Sequence, residues 1–322
     1  MPRSFLHILK LTLALLPLVV PVSLRAQQTP QYSQYVFNGL ILNPAYAGSK
    51  GFLNANAIYR TQWTGLEGSP KTATFSLDGT NVADRIGWGV YAVQDRIGAQ
   101  SQTSLSGNAA VKLKTGEGGV FSFGLALGAS FFNYDPEKIK TTTPNDPAFV
   151  SSRENTLTPD LKAGLYYHTR KFYTGLSVAN LVQFGVGHLV HPRPHVFFTS
   201  GYVLALSDNL KFKPSFLIKE DLHAATAADF NAFLLLEERL WLGASYRTRL
   251  DIWRQPLEEE ASLGSAAAMA YMAEFYPTEK IRIGYAYDRS RSGMNNLGSH
   301  EVSLGYYFIR QQGVRTMTPR YF

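Results

Sequence analysis

The chain contains no cysteine in 322 residues, so disulfides, thiolate metal ligands and thiol nucleophiles play no part in it. Charge is also scarce: Asp, Glu, Lys and Arg make up 17% of the chain, against about 25% in an ordinary soluble protein. Beyond residue 26 no apolar run reaches the length a bilayer-crossing helix needs, which excludes a helical membrane protein. No dense Lys/Arg stripe is present, so nucleic acid is not an expected partner. Gly-x-Ser-x-Gly and Gly-Lys-Ser/Thr are absent too, removing the nucleophile elbow and the phosphate-cradling loop.

What is present begins with a leader. Arg3 and Lys10 precede an apolar run from Leu11 to Val22, broken by Pro17 and Pro21, and Leu24-Arg25-Ala26 follows. A basic start, a short apolar stretch and a small final residue describe a secretory signal peptide over 1–26, cut between Ala26 and Gln27. Leu24 is an imperfect residue for the third place before the cut. Loss of Arg3, Lys10 and Arg25 takes the formal charge from +7 to +4.

From Leu53 onward the dominant signal is alternation with period two. Phe121, Phe123, Leu125, Leu127, Ala129 and Phe131 share one face, while Ser122, Gly124, Ala126, Gly128 and Ser130 share the other. Val302, Leu304, Tyr306 and Phe308 alternate in the same way with Glu301, Ser303, Gly305 and Tyr307. A soluble sandwich places charge on its wet face. Small uncharged residues opposite bulky apolar ones suit a barrel wall in lipid. The pattern predicts an all-β fold: an antiparallel transmembrane outer-membrane β-barrel of about 14 strands over residues 53–308. The strands are expected to begin near Leu53, Lys71, Gly87, Ser101, Val120, Leu161, Tyr173, His195, Leu210, Ala227, Leu240, Ala267, Lys280 and His300.

Connection lengths keep a phase. Arg170-Lys171-Phe172, Ser207-Asp208-Asn209, Glu237-Glu238-Arg239 and Pro277-Thr278-Glu279 are three-residue turns. The connections after the fifth, seventh, eleventh and thirteenth strands run to about 28, 14, 18 and 11 residues. Short turns on one side and long loops on the other are the asymmetry of outer-membrane barrels. The first third keeps the phase less well, with a longer turn from Gly79 to Ile86 and a short one from Arg96 to Gln100. Tyr59, Trp63, Trp88, Tyr166, Tyr167, Trp241, Tyr285, Tyr287 and Tyr306 to Phe308 fall near strand ends, where an interfacial aromatic girdle is expected.

Sites for chemistry are few. His188, His191 and His195 lie close together, but Pro192 and Pro194 interrupt them and no acidic residue or cysteine is near; an exposed rim loop explains them. His300-Glu301 lacks the second histidine of a zinc-protease motif. Glu258-Glu259-Glu260 reads as a solvated loop tip, and Gly116-Glu117-Gly118-Gly119 as a hairpin turn. Scattered groups such as His168 and Asp288 do not compose a catalytic set in sequence. No catalytic residue, cofactor or metal is expected.

The segment before the first strand, "QYSQYVFNGLILNPAYAGSKG" (Gln31 to Gly51), resembles the start of the PorP/SprF family, outer-membrane components of the type IX secretion and gliding machinery of Bacteroidota. Further resemblances run along the chain: "YRTQWTGLEGSPKTATFSLDG" from Tyr59, "DPAF" from Asp146, "FYTGLSVANL" from Phe172 and "LSDNLKFKPSFLIK" ending at Lys219. "LWLGASYR" from Leu240, "RIGYAYD" from Arg282 and "GSHEVSLGY" from Gly298 complete them.

The resemblance implies a non-enzymatic barrel that supports export or surface attachment of cargo bearing a type IX C-terminal signal. Implied partners are outer-membrane lipid, a periplasmic ring lipoprotein and peptidoglycan-associated components. The family's motifs fall on Asn43, Pro44, Ala45, Tyr46, Ala47 and Gly48, and on Arg60, Gln62 and Trp63. Two features depart from the family pattern. The stretch from Leu250 to Ser265 is long and acidic, and the chain continues from Ile309 to Phe322 as a tail with Arg310, Arg315 and Arg320. Strand parity puts that tail (309–322) in the periplasm. The lead-in, 27–52, is likewise expected there, as a plug for the barrel or as a dock for a partner. Inward Lys162, His168, Arg282, Asp288 and Glu301 could fasten such a plug or line a solute path, so a channel for hydrophobic or small solutes is the alternative function.

Overall fold

The computed structural model describes residues 31–139, 153–182, 193–221, 226–250, 268–290 and 297–309. Fourteen strands alternate apolar and small or polar residues along their length. The first five are β1 (Leu53–Thr61), β2 (Lys71–Thr80), β3 (Ile86–Ile97), β4 (Gln100–Lys114) and β5 (Val120–Tyr134). Next come β6 (Glu154–His168), β7 (Phe172–Ala179), β8 (His195–Tyr202, resuming at Leu204–Ala205), β9 (Leu210–Glu220) and β10 (Thr226–Leu236). β11 (Leu240–Leu250), β12 (Ala268–Phe275), β13 (Ile281–Ser290) and β14 (Gly298–Phe308) complete the wall.

Each strand pairs antiparallel with the next, and β14 returns to β1 in a ladder from Leu53↔Phe308 to Thr61↔His300. The sheet is a closed barrel, which leaves no edge for lipid to solvate. The break in β8 falls opposite Pro214 in the facing strand β9, which cannot donate to the ladder; on the β7 side the ladder continues, with Val203 N–H donating to Lys171 O at 2.7 Å.

The expected faces are the observed ones. Phe123, Leu125, Leu127 and Phe131 point outward and exposed, as do Val302, Leu304, Tyr306 and Phe308; Ser122, Ala126, Glu301, Ser303 and Tyr307 are buried inside. The girdle expectation holds only in part. Tyr59, Trp88, Tyr285, Tyr306 and Phe308 face out, but Tyr166, Trp241 and Tyr307 are buried in the lumen. Their inward parity overrides their place near strand ends.

Strand starts fall within two residues of expectation except at β6, which begins at Glu154 rather than Leu161. Polar residues and Pro159 mask its first half, which pairs with β5 down to Tyr134↔Glu154 while β7 reaches only as far as Ala163↔Val178. Proline is tolerated there because that side of the strand has no ladder partner among the described strands. Turns 169–171, 206–209, 237–239 and 276–280 are short and share one end of the barrel. The opposite end carries the long connections; the tight hairpin there at Gly98-Ala99 is tied to the β1–β2 connection by Gly98 N–H donating to Gly68 O at 2.9 Å.

The core lies inside the barrel. Residues 31–52 form three single 3-10 turns, Gln34–Phe37, Gly39–Ile41 and Pro44–Tyr46, and pack within the lumen. Three apolar clusters join this segment to the wall: Phe37 with Phe233 and Trp241, Leu40 and Tyr46 with Tyr91 and Tyr166, Tyr32 and Tyr35 with Phe197 and Leu217.

Candidate functional site

The inserted segment is held by polar contacts from one end of the barrel to the other. Nearest the long-loop end, the carboxylate of Glu301 accepts the backbone N–H groups of Ser33 and Gln34, both at 2.9 Å. A carboxylate placed there satisfies the orphan donors at the start of the Gln34–Phe37 turn. Arg60 of β1 completes the latch, donating to Glu301 at 2.9 Å, Asp288 at 2.5 Å and Ser33 Oγ at 3.1 Å. Ser33 Oγ in turn donates to Asp288 at 2.7 Å. All four side chains are buried. A dry guanidinium facing two carboxylates is stable only while each partner remains, so removing one costs about 3–5 kcal/mol.

Midway down, the amide of Gln34 donates to Glu301 O and accepts from Ser303, Asn38 donates to Ser76, and Arg282 donates to Phe37 O at 2.9 Å. Tyr32 and Thr74 share a hydroxyl bond of 2.7 Å, and Asn231 donates to the Tyr35 hydroxyl at 2.9 Å.

The motif Asn43 to Gly48 forms the lower seat. Pro44 pushes Asn43 into extended geometry, φ −138° and ψ 116°, and Asn43 Oδ1 accepts the Ala45 N–H at 2.9 Å as a cap. The same side chain donates to Leu165 O at 2.8 Å, so Asn43 both caps the turn and ties it to β6. Inward glycines make room for this backbone: a Cβ on Gly124 would lie 2.2 Å from Ala45 N, and one on Gly164 would lie 2.1 Å from Asn43 Oδ1. Tyr46 packs edge-on against Tyr166 at 5.4 Å. Gly48 turns the chain at φ +68°, with its N–H on Asp78 and its carbonyl on Lys112 Nζ at 2.7 Å.

At the short-turn mouth Lys50 sits 5.5 Å from the Tyr307 ring centroid. Burial, helped by the Arg282 guanidinium, pulls its ammonium down to about 7 against the pull of Asp78 and Glu274.

The structure separates the residues singled out by motif. Asn43, Pro44, Ala45, Tyr46, Ala47 and Gly48 meet the wall at the lower seat, and Arg60 lies in the upper latch. Gln62 and Trp63 lie outside both, half-buried in the connection after β1, where Trp63 has φ +49° and its N–H meets Ser299 Oγ. Of the inward residues, Arg282, Asp288 and Glu301 bind the segment, whereas Lys162 donates to Tyr91 and His168 lies buried beside Tyr166. Ser33, Gln34, Asn38 and Asp78 carry equal weight and were not singled out in sequence, since no spacing ties Ser33 to residues more than 250 positions away.

His195 begins β8 and contacts Arg193 O; His188, His191, Glu258 to Glu260, residues 146–149, the leader and the tail beyond Ile309 lie outside the described residues. Among the described residues no cluster could hold a metal ion.

A closed 14-strand barrel with an apolar outer face and a polar, filled interior is an outer-membrane β-barrel, and that is where this protein resides. The sequence pattern of the family described as Type IX secretion system membrane protein PorP/SprF matches residues 24–306, and the chain belongs to that family. It is thus a membrane component of the type IX secretion system.

Among solved structures the fold is similar to a CymD monoaromatic hydrocarbon channel, with 12% identity, TM-score 0.54, and coverage of 85% of this chain and 93% of that one. A Pseudomonas aeruginosa FadL homologue matches at 11% identity and TM-score 0.47 over 88% of this chain and 96% of its own. Omp33 of Acinetobacter baumannii matches at 10% and 0.46 over 81% and 100%. No curated protein matches the sequence.

Proposed function

We propose that this protein is a sealed, non-enzymatic barrel that recruits partners for type IX secretion rather than conducting solutes. The observation that carries this reading is the latch of Arg60, Asp288 and Glu301 on Ser33, which holds an internal segment across the lumen. A barrel so filled offers its rims and its outer wall to partners. Its task is to support export or surface attachment of cargo carrying a type IX C-terminal signal and, in gliding cells, to serve motility. Its periplasmic partners are a ring lipoprotein and peptidoglycan-associated components.

Crosslinking and affinity capture of the tagged protein from outer membranes test this, alongside loss of the gene. Co-capture of secretion components, with surface proteins lost and nutrient uptake intact, supports it. Retained secretion with lost uptake of an aromatic or aliphatic solute supports the second reading, a hydrophobic-solute channel. That reading draws on the likeness to the monoaromatic hydrocarbon channel and on a cavity of about 180 Å³ above the segment, floored by Tyr32, Tyr35, Ile41 and Leu42.

A further inference from the structure

The connection after β2 departs from the pattern of the short-turn end. It reads Asn81-Val82-Ala83-Asp84-Arg85, whereas Arg170-Lys171, Ser207-Asp208-Asn209 and Glu237-Glu238-Arg239 at the same end are polar throughout. Val82 is 109% exposed, and no other large apolar side chain among the described residues exceeds 71%. A single exposed valine is ordinary on a loose loop. This loop is not loose.

Asn81 closes it twice over. Its N–H donates to Ile86 O and its carbonyl accepts from Asp84 N–H, both at 2.9 Å. Its side-chain Oδ1 accepts the N–H groups of Arg85 at 2.9 Å and Ile86 at 3.1 Å, as asparagine does in turns. Thr80 Oγ1 donates to Asp84 at 3.1 Å, and Lys112 N–H on β4 donates to Arg85 O at 2.8 Å. Together they hold Asp84 at φ +52°, a left-handed conformation that a residue other than glycine keeps only where its surroundings fix it. A fluid lipid surface asks no fixed shape of an apolar tip. A protein pocket does, because a loop ordered beforehand loses less entropy on binding. The charge beside the tip defines the rim of that pocket. Arg85 is exposed and the Lys114 side chain is 63% exposed, while the acid of the turn, Asp84, is already held by Lys112 and, at 3.6 Å, by Lys114.

The same turn is fastened to the inserted segment. Lys112, with its side chain 2% exposed, donates both to Gly48 O at 2.7 Å and to the Asp84 carboxylate. Next to it the base of β3 lies so close to the segment that a Cβ on Gly87 would fall 1.9 Å from Ala47 O. We propose that residues 81–85 form a rigid periplasmic knob for a partner protein whose apolar pocket carries an acidic rim, and that Lys112 makes the shape of the knob depend on the seated segment. This rests on the reading that the barrel recruits periplasmic partners. A segment leaving its seat takes Gly48 O from Lys112 and loosens the knob; by reciprocity, a partner gripping the knob holds the segment in place.

Replacing Ala83 by a photo-crosslinking phenylalanine tests the knob in living cells, with Asp208 replaced in the same way as the control turn. Position 83 is expected to give an adduct with a periplasmic protein, identified by mass spectrometry, that position 208 does not give. Val82→Asp should lower its yield about tenfold, since the pocket would bury an unpaired charge. Arg85→Glu with Lys114→Glu should lower it severalfold, and Val82→Leu should keep it. Heat-modifiable gel mobility reports that each variant barrel is folded. Adducts to lipid alone, no adduct, or a protein adduct that Val82→Asp leaves unchanged overturns the knob. Lys112→Met is expected to lower the yield severalfold although Lys112 is buried; if that variant does not fold, deletion of residues 32–47 asks the same question of the segment. An unchanged yield contradicts the tie. Secretion followed in parallel separates the knob from the wider reading. If gene loss abolishes surface proteins while position 83 gives no adduct, the knob alone is removed. A Val82-dependent adduct with secretion intact after gene loss supports the knob and removes the secretion role.

Discussion

Arg60 on β1 and Asp288 on β13 meet at 2.5 Å inside the barrel although β14 runs between their strands. Ser33, from a segment outside the sheet, bonds to both. The wall and its contents thus share one buried charge network.

Replacing Arg60 by Met leaves Asp288 and Glu301 buried without their cation. We expect a loss of about 3–5 kcal/mol, read as a lower temperature for the shift between folded and unfolded gel mobility. Neutralising all three as Arg60→Met, Asp288→Asn and Glu301→Gln should restore most of it. A single variant as stable as the parent would show that the latch contributes nothing.

Gly124 should accept no side chain. A Cβ there meets the Ala45 backbone at 2.2 Å, so Gly124→Val must push the Asn43–Tyr46 turn off the wall. Trypsin is expected to cut the lead-in at Lys50 in the variant and spare it in the parent. Equal protection in both would contradict the seat.

Lys50 supplies a dependence on pH. Its ammonium is lowered to about 7 by burial and by Arg282, with Lys213 adding to this and Asp78 and Glu274 opposing. In the unfolded chain it titrates near 10.4. Between these values the unfolded state binds the extra proton, so stability rises with pH from about 7 upward and the full burial cost applies below. Unfolding midpoints should climb between pH 7 and 9 in the parent and stay flatter in Lys50→Met. Identical slopes would remove Lys50 from this role.

Asn43→Ala removes a cap and a tether together. We expect about 1 kcal/mol from the cap, plus the loss of the side-chain bond to Leu165 O. Hydrogen exchange at Ala45 should quicken while exchange in β5 and β6 stays slow. Unchanged exchange at Ala45 would contradict the assignment.

The wall was legible because period-two alternation in a lipid-facing strand has one physical cause, and Phe123, Leu125 and Leu127 display it without interruption. β6 was misjudged at its start because Pro159 and its polar neighbours imitate a loop, and only pairing with β5 reveals a strand. Trp241 and Tyr307 were misplaced because nearness to a strand end was given more weight than parity. The motif Asn43 to Gly48 was visible as a motif, and the extended geometry at Asn43 follows from Pro44 alone. Its seat was not visible, since Gly124 and Gly164, which receive the turn, lie on β5 and β6 far along the chain. Inward Glu301 and Asp288 were noticed as charges, but their partner Ser33 carries no signal of its own.

Conductance of the purified protein in planar bilayers tests the sealed barrel most directly. The full chain should give no channel steps, and a variant lacking residues 32–47 should give large, stable ones. Steady conductance by the full chain, unchanged by that deletion, would contradict the account.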